Sequence, residues 1–196
     1  MNRDRILEKL HITELTLMQQ NAYDSILHGK DDVIVLSPTG SGKTLAYMLP
    51  LAEMTDADSD MIQTVVIVPS RELAQQSDNV LRSMGTGIRS MCCYGGRTAM
   101  DEHRMIRQIA PNIIFGTPGR LNDHIDKGNI SPYGIKYLVI DEFDKCLQMG
   151  FTDEMSKLLG KLREVKRRIL LSATNTELIP DFVHMSGAIS LDYLDN

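Results

Sequence analysis

With 196 residues, the chain fits one α/β domain or two small ones, and its 42% content of hydrophobic residues excludes an intrinsically disordered protein. A net charge of -5 gives no electrostatic case for a dedicated nucleic-acid binder, so any such role must rest on local sites. The N-terminus lacks the apolar stretch of a secretion signal, and no apolar run approaches the roughly 20 residues of a membrane span, so we expect a cytoplasmic protein without membrane partners.

Strand-like and helix-like segments alternate along the chain. Short, continuously apolar runs are typical of buried strands, and the segments between them have helical spacing. The predicted strands are residues 33–36, 65–68, 88–94, 112–115, 136–140, 169–171 and a short one near 189. The predicted helices are residues 4–10, 15–28, 45–54, 70–80, 98–109, a segment starting at 118, 152–164 and 177–185. This alternation predicts an α/β fold with a mostly parallel sheet, helices on both faces, and ligands at the carboxyl ends of the strands.

The three cysteines and five histidines predict neither a disulfide framework nor a zinc site. Cys92 and Cys93 are adjacent and Cys146 is remote, which gives no spacing typical of metal ligands. The histidines are scattered, without a pair at helical spacing. We therefore expect the cysteines to be reduced and to fill the core.

The segment 37–44, with the sequence Ser-Pro-Thr-Gly-Ser-Gly-Lys-Thr, connects the first predicted strand to a helix. Its glycines let backbone N–H groups turn inwards, and the helix N-terminus adds positive potential. Lys43 can reach outer phosphates and the Thr44 hydroxyl can ligate Mg²⁺. A plain glycine-rich turn is the alternative, but Gly-Lys-Thr in this context favours nucleotide binding. Ser37 stands where the general pattern has its first glycine.

A second acidic element follows the strand-like run 136–140. Asp141 would hold Mg²⁺ partly through water, and Glu142 would polarise the water that attacks the γ-phosphate. A solvated acidic turn is the alternative interpretation, and the phosphate loop upstream favours the catalytic one.

Six motifs then identify a family. In chain order they are Ser-Pro-Thr-Gly-Ser-Gly-Lys-Thr, Val-Pro-Ser-Arg-Glu-Leu-Ala, Tyr-Gly-Gly, Gly-Thr-Pro-Gly-Arg-Leu, Val-Ile-Asp-Glu-Phe-Asp and Leu-Ser-Ala-Thr. The chain resembles the N-terminal RecA-like, ATP-binding domain of a DEAD-box RNA helicase over essentially its whole length. The family's loop pattern Ala-x-Thr-Gly-x-Gly-Lys-Thr accounts for the missing glycine, with Ser37 replacing the alanine.

This resemblance implies one RecA-like P-loop NTPase domain over 1–196, with an adenine-motif helical region at 1–30 and the sheet core at 31–196. It implies ATP and Mg²⁺ as cofactors and RNA as a partner, contacted through its backbone with little sequence preference. Family members carry a second RecA-like domain, which we expect to be absent here. The isolated domain is therefore expected to be a monomer with weak or no ATPase activity, which couples hydrolysis to RNA unwinding or remodelling only when the second domain is joined to it.

The resemblance also assigns the nucleotide site. The implied nucleotide-binding residues are Gln19, Thr39, Gly40, Ser41, Gly42, Lys43 and Thr44, the implied catalytic residues are Lys43, Asp141 and Glu142, and the implied metal-binding residues are Thr44 and Asp141. Gln19 is similar to the family's adenine-reading glutamine, whose amide can pair with adenine N6 and N7. A solvated helix glutamine is the alternative. The family's upstream aromatic residue would fall at or before Met1.

Three segments resemble the family's RNA-backbone contacts. They comprise Arg71, Gly95, Gly96, Thr117, Pro118, Gly119 and Arg120. The structural alternatives are a helix cap at Ser70, a simple turn at the two glycines, and an N-cap threonine followed by an N1 proline. The basic run 166–168 precedes a strand, and we interpret it as a solvated element end rather than an RNA site.

The last motif implies coupling between hydrolysis and strand separation. The coupling residues are Asp144, Ser172 and Thr174. A capping box from Thr174 to Glu177 is the alternative. Phe143 is the clearest departure from the family's motifs. It replaces the alanine of Asp-Glu-Ala-Asp with a large ring, which puts the packing around Asp144 in doubt.

Two rival functions remain open on the sequence alone. The first is a noncatalytic module that binds RNA or protein and is switched by ATP. The second is a DNA-directed helicase of the same superfamily, which the spelling of the motifs disfavours.

Overall fold

Seven parallel strands form one sheet within residues 2–175, 179–185 and 187–194, which are the parts of the chain that this computed structural model describes. The strands are β1 (Val33–Leu36), β2 (Thr64–Ile67), β3 (Ser90–Cys93), β4 (Ile113–Gly116), β5 (Tyr137–Ile140), β6 (Arg167–Ser172) and β7 (Ile189–Asp192). The helices are α1 (Arg3–Lys9), α2 (Leu17–His28), α3 (Lys43–Met54), α4 (Arg71–Ser83), α5 (Ala99–Ile109), α6 (Pro118–Asp126), α7 (Phe143–Gln148) and α8 (Thr152–Lys161). The predicted α/β fold with a parallel sheet is confirmed.

The strand order is β3-β4-β2-β5-β6-β1-β7. In register, Gly116 lies between Cys93 and Ile67, so β3, β4 and β2 end together on one side of the sheet. On the other side β5, β6 and β1 are neighbours. The segments that follow the first three strands carry the predicted RNA contacts. Those that follow β1 and β5 carry the predicted phosphate loop and acidic pair, and the predicted coupling residues Ser172 and Thr174 lie at the end of β6 between them. The two sets of motifs thus lie next to each other along the edge formed by the carboxyl ends of the strands.

Alternating strand residues fill two hydrophobic cores, one on each face of the sheet. Val66 and Val139 point to the face covered by α1 to α4, and Val65 and Leu138 point to the face covered by α5 to α8. Strands buried on both faces need apolar residues at successive positions, which explains their continuous apolar sequences. The three cysteines are free and buried, as predicted. No helix in the described part of the chain is long and apolar enough to cross a membrane.

Two helical elements differ from the sequence expectations. α7 was not predicted, because its six residues are too few to display helical periodicity. The helix predicted at 177–185 lies partly outside the described residues, and within 179–185 the structure contains only a short 3₁₀ turn, Asp181–Val183. Pro180 immediately before this turn lacks an N–H and disfavours a helical residue ahead of it, which explains the shorter element.

Arg167 is a buried residue that closes the C-terminus of α2, so the interpretation of 166–168 as a solvated element end is wrong at this position. A helix end leaves backbone carbonyls without intrahelical partners, and a buried guanidinium with five donors satisfies several of them at once. The acceptors are the carbonyl oxygens of Ser25, Ile26, Gly29 and Asp31, at 2.8 to 3.2 Å.

We expect Arg167→Met to lower the free energy of unfolding by on the order of 3 kcal/mol, because it leaves several buried carbonyls unsatisfied. The control is Arg168→Met. Arg168 is the next residue along, and its guanidinium lies 3.8 Å from the Asp32 carboxylate, which is too long for a hydrogen bond, so its side chain contributes little. Urea unfolding followed by circular dichroism measures both. Equal stability of the two variants would contradict the assigned role of Arg167.

Candidate functional site

The loop between β1 and α3 has the backbone conformation of a phosphate cradle. Gly40 and Gly42 have φ of 79° and 87°, in the left-handed region that glycine adopts without steric cost. Gly42 precedes the first residue of α3, so the helix N-terminus points at the loop. The Ser37 hydroxyl donates to Ser41 Oγ at 2.7 Å, and its N–H donates to Ser172 O at 3.1 Å. The hydroxyl of the serine that replaces the family's alanine therefore adds a hydrogen bond within the loop.

Lys43 lies within this loop and faces the acidic residues after β5. Its ammonium donates to Ser37 O and, at 2.9 Å, to Pro38 O. Burial lowers the pKa of Lys43, and the nearby carboxylates of Asp141, Asp144 and Glu142 oppose that shift. The structure thus brings the two halves of the predicted nucleotide site together across the sheet.

Gln19 is buried and joins α2 to the phosphate loop, so the interpretation as a solvated helix glutamine is wrong. Its Oε1 accepts from Thr16 N at 3.0 Å in a capping box, and its Nε2 donates to Gly42 O at 3.2 Å. A Cβ at Gly42 would meet that nitrogen, so any side chain there would displace the Gln19 amide, in addition to the strain of the positive φ. One amide hydrogen and one carbonyl lone pair remain for a ligand.

The acidic pair after β5 combines burial with backbone strain. Asp141 is buried, and its Oδ1 accepts from Glu142 N at 2.9 Å. Glu142 has φ of 49°, a left-handed conformation that costs a non-glycine residue about 1 kcal/mol or more. Its carboxylate accepts from Lys145 Nζ at 3.3 Å on the half-exposed surface. This conformation directs Asp141 and Glu142 to the same cavity, which they both line.

Burial is the main cause that raises the pKa of Asp141 to about 6, with the charge of Glu142 adding to it and Lys43 opposing it. A carboxyl with this pKa in the folded protein and 3.8 in the unfolded chain stabilises the fold fully below pH 4. That stability is lost as the pH rises through 6.

We expect Asp141→Asn to be more stable than the wild type at pH 8 by about 3 kcal/mol, and equally stable at pH 4, because the substitution removes a buried charge. Urea unfolding in the presence of EDTA measures the difference, with the exposed Asp153→Asn on α8 as the control. A variant that is less stable than the wild type at pH 8 would contradict this account of Asp141.

A cavity of ≈ 450 Å³ lies between the loop and the acidic pair. Seven of the predicted nucleotide-site residues line it, together with Asp144 and four residues outside the predicted set. The seven are Thr39, Gly40, Gly42, Lys43, Thr44, Asp141 and Glu142, and the four are Leu73, Gln76, Lys145 and Ala173. An ammonium, a helix N-terminus, a hydroxyl and carboxylates are the donor set that a nucleoside triphosphate with Mg²⁺ requires, so the residues present fit both.

The predicted coupling residues are in contact. Thr174 Oγ1 donates to Asp144 Oδ2 at 3.1 Å, and Ser172 Oγ donates to Thr174 O at 2.8 Å. The alternative capping box includes Glu177, which lies outside the described residues. Phe143 is fully buried in the core beneath α7, and the contact between Asp144 and Thr174 forms despite the larger ring. The doubt that Phe143 raised about this packing is thereby removed.

The predicted RNA contacts lie in the segments that follow the carboxyl ends of β2, β3 and β4. We call them the RNA edge, and they are Arg71, Gly95, Gly96, Thr117, Pro118, Gly119 and Arg120. Ser70 caps α4 by accepting from Leu73 N at 3.2 Å, as its structural alternative predicted. Thr117 occupies the N-cap position of α6, but its side chain makes no capping hydrogen bond. Within the described part of the chain, the Thr117 hydroxyl therefore has no capping bond that competes with ligand contact.

Three residues that support the RNA edge had no role predicted from the sequence, and they are Tyr94, Arg97 and Glu102. Two guanidinium groups contact the Tyr94 ring, with Arg71 Cζ at 5.2 Å and Arg97 Cζ at 4.4 Å from its centroid. Arg120 points inward and donates from Nη1 to Glu102 Oε1 at 3.1 Å. A signal for Glu102 existed, because it shares the spacing of Ile106 on the buried face of α5, where a carboxylate is unexpected.

Comparisons with known proteins agree with this geometry. The family model for the DEAD/DEAH box helicase matches residues 16–182. An ATP-dependent RNA helicase CshA from Limosilactobacillus reuteri is 37% identical over 163 residues, which are 82% of this chain and 32% of that protein. An ATP-dependent RNA helicase DbpA from Bacillus subtilis is 36% identical over 172 residues, 87% of this chain and 36% of that protein. The chain thus spans about a third of the length of these relatives.

Solved structures show the same architecture. A DEAD box protein from the hyperthermophile Methanococcus jannaschii superposes with a TM-score of 0.86 at 28% identity, covering 96% of this chain and 53% of the other. A hypothetical ATP-dependent RNA helicase from Sulfolobus tokodaii gives a TM-score of 0.83 at 28% identity, covering 98% of this chain and 57% of the other. The RecA-like fold predicted from the motifs is confirmed by these similarities.

Proposed function

This chain belongs to the DEAD/DEAH box helicase family, and we propose that it is the N-terminal, ATP- and RNA-binding domain of an ATP-dependent RNA helicase. Residues 1–196 would form this single domain, with 1–30 as the adenine-motif region. A second RecA-like domain would complete the enzyme. The observation that carries the proposal is the strand order, because β5, β6 and β1 present nucleotide-binding chemistry beside the RNA edge on β3, β4 and β2.

Each half of the nucleotide site has a defined task in this proposal. Gln19 would pair with adenine, backbone N–H groups of residues 39–42 would bind phosphate oxygens, and Lys43 would bind the outer phosphates. Thr44 and Asp141 would hold Mg²⁺, Asp141 partly through water. When bound, this ion neutralises charge on the phosphate oxygens.

Glu142 would accept a proton from the attacking water, because it is the half-exposed carboxylate beside the buried Asp141 in the cavity. Asp144 and Thr174 would transmit the state of the nucleotide site to β6, whose Ser172 carbonyl also binds the phosphate loop. The RNA edge would bind the RNA backbone with little sequence preference. A monomeric state and a cytoplasmic location stay predictions.

Nucleotide selectivity of the isolated chain tests the proposal. We expect Mg-ATP to bind more tightly than Mg-GTP in calorimetric titrations, because the Gln19 amide complements adenine N6 and N7 and mismatches guanine. Gln19→Glu keeps the acceptor oxygen for Thr16 and removes the amide donors, so it should abolish the preference, whereas Gln20→Ala should retain it. Equal affinity for ATP and GTP in the wild type would contradict this assignment.

Phe143 gives no support to the noncatalytic alternative, since its ring packs in the core away from the nucleotide cavity. The DNA-directed alternative is distinguished by titrating matched RNA and DNA oligonucleotides in the presence of a non-hydrolysable ATP analogue. The 2′-hydroxyl is the group that differs, so preferential binding of RNA supports the proposal and equal binding contradicts it.

A further inference from the structure

A buried carboxylate lies behind the RNA edge and binds groups from two segments, the loop after β3 and α6. Glu102 is completely buried. Its Oε1 is 2.8 Å from His124 Nε2 and accepts from Arg120 Nη1 at 3.1 Å. Its Oε2 accepts from Tyr94 N at 2.9 Å and from Arg97 Nη2 at 3.3 Å. Burial raises the pKa of Glu102, but the hydrogen bonds from His124 and the Tyr94 N–H and the charge of Arg120 more than offset it, so the net pKa is lowered and the group stays ionised.

The same residues could suggest a metal site, because ligand atoms of Cys93, Glu102 and His124 lie within 4.8 Å of one another. The hydrogen bonding argues against it. Asn129 Nδ2 lies 3.0 Å from His124 Nδ1, so Nδ1 accepts and Nε2 carries the proton that it donates to Glu102. Arg120 also brings a fixed positive charge within 3.1 Å of the carboxylate, which repels a cation.

The network reaches the exposed guanidinium of Arg71 through an aromatic ring. Arg97, which Glu102 binds, stacks on one cation-binding face of Tyr94 at 4.4 Å, and Arg71 lies 5.2 Å from the same ring. Gln75 Nε2 donates to the Tyr94 hydroxyl at 2.9 Å and fixes the ring from the α4 side. A guanidinium is attracted to the face of an aromatic ring, so the ring restricts the orientation of Arg71.

Among the described residues, the protein binds the Arg120 guanidinium through one nitrogen, Nη1. Nη1 makes both of its protein hydrogen bonds recorded among the described residues, to Glu102 Oε1 and, at 3.1 Å, to Arg97 O. The Nε and Nη2 side of the guanidinium is therefore left for another anion. A guanidinium anchored in this way loses less side-chain entropy when it binds phosphate than an unanchored one.

We propose that Glu102 is the positioning residue of the RNA edge, which anchors Arg120 and, through Arg97 and Tyr94, orients Arg71 for the RNA backbone. The inference rests on the proposed function of this edge. A purely structural role is a poor explanation for such a group, because well-packed apolar side chains fill a core position at lower desolvation cost than a buried carboxylate with two guanidinium partners.

The test compares Glu102→Ala with Glu102→Gln and with Asn129→Ala. Glu102→Ala removes the anchor, whereas Glu102→Gln keeps an oxygen that can accept from the Tyr94 N–H. Asn129→Ala breaks the same network on the far side, at His124, and leaves both arginines in place. Fluorescence anisotropy with a labelled oligouridylate and a non-hydrolysable ATP analogue measures RNA affinity over a range of salt concentrations, and urea unfolding measures stability.

We expect Glu102→Ala to weaken RNA binding about tenfold and to reduce the slope of log affinity against log salt by about one, which corresponds to one lost phosphate contact. Glu102→Gln should lose about threefold or less, since part of the anchor remains. Asn129→Ala should be destabilised with unchanged RNA affinity and slope. Affinity for the ATP analogue should be unchanged in all three, because the residues that bind Glu102 and Asn129 do not line the nucleotide cavity.

Two outcomes would overturn the inference while the proposed function stands. One is wild-type RNA affinity and salt slope in folded Glu102→Ala, and the other is an equal loss of RNA affinity in Asn129→Ala at matched stability. If Glu102→Ala does not fold, Tyr94→Leu against Tyr94→Phe gives the same readout, with a loss expected only for leucine and equal affinities contradicting the inference. Absence of RNA binding by the wild type would overturn both the inference and the RNA-binding part of the proposed function.

Discussion

Glu142→Gln is expected to lower RNA-stimulated ATP hydrolysis by about 10³-fold in a protein that joins this chain to a second RecA-like domain, because it removes the general base. The left-handed backbone at Glu142 and its position beside the buried Asp141 are the structural reasons for this assignment. Glutamine has the same shape, so ATP affinity should change little. The measurement is single-turnover phosphate release at saturating RNA, together with an ATP titration.

The controls for this experiment are Glu72→Gln and Lys145→Met. Glu72 is exposed in the first turn of α4, on the same edge of the sheet, and its substitution should leave hydrolysis unchanged. Lys145 forms only a half-exposed pair with Glu142, so its loss should change the rate far less than that of the carboxylate. A Glu142→Gln protein with the wild-type rate would remove Glu142 from catalysis and favour the noncatalytic alternative.

Lys43→Met is expected to weaken the binding of Mg-ATP to the isolated chain by about 100-fold. Methionine keeps the length of the side chain but removes charge-assisted hydrogen bonds to phosphate, each of which contributes about 1.5 to 3 kcal/mol. The ammonium also binds two carbonyls of its own loop, so urea unfolding must show that the variant is folded. Calorimetric titration measures the affinity.

The exposed Lys30→Met serves as the matched control, since it removes the same charge outside the phosphate loop. Its ATP affinity should equal that of the wild type. If folded Lys43→Met binds Mg-ATP as tightly as this control does, the loop at 37–44 is not the phosphate site.

The fold could be predicted well because its strands are buried on both faces. Continuous apolar runs such as Val33–Leu36 have few alternative structures in a chain of this length, and the helices between them begin at polar caps such as Ser70 and Thr98. Elements with a weaker local signal were missed. α7 is too short to show periodicity, and Pro180 limits the last predicted helix within the described residues.

The positions of motif residues at strand ends were likewise predicted from the sequence, whereas the positions of residues defined by long-range partners were not. Arg167 belongs to a basic run that suggests a solvated surface, yet its acceptors are carbonyls about 140 positions earlier in the chain, which no local pattern reveals. Glu102 is similar, because its partners come from the loop after β3 and from α6. The signal at such positions is a charge on a buried helix face, and it indicates burial without identifying the partner.

The identity of Ser37 shows how a departure from a pattern can have a local explanation. In the sequence, Ser37 only distinguished the family's loop pattern from the general phosphate-loop pattern. Its hydroxyl binds Ser41 and its N–H binds Ser172, so it connects the phosphate loop to the end of β6, where the predicted coupling residue Ser172 lies. An alanine at this position would keep the second bond and lose the first.

Single-turnover ATP hydrolysis, with and without RNA, by the 196-residue chain alone and by the chain joined to a second RecA-like domain tests the central claim most directly. We predict slow hydrolysis without RNA stimulation by the chain alone, and RNA-stimulated hydrolysis once the second domain is present. Fast, RNA-stimulated hydrolysis by the chain alone, or no stimulation in the two-domain protein, would contradict the account.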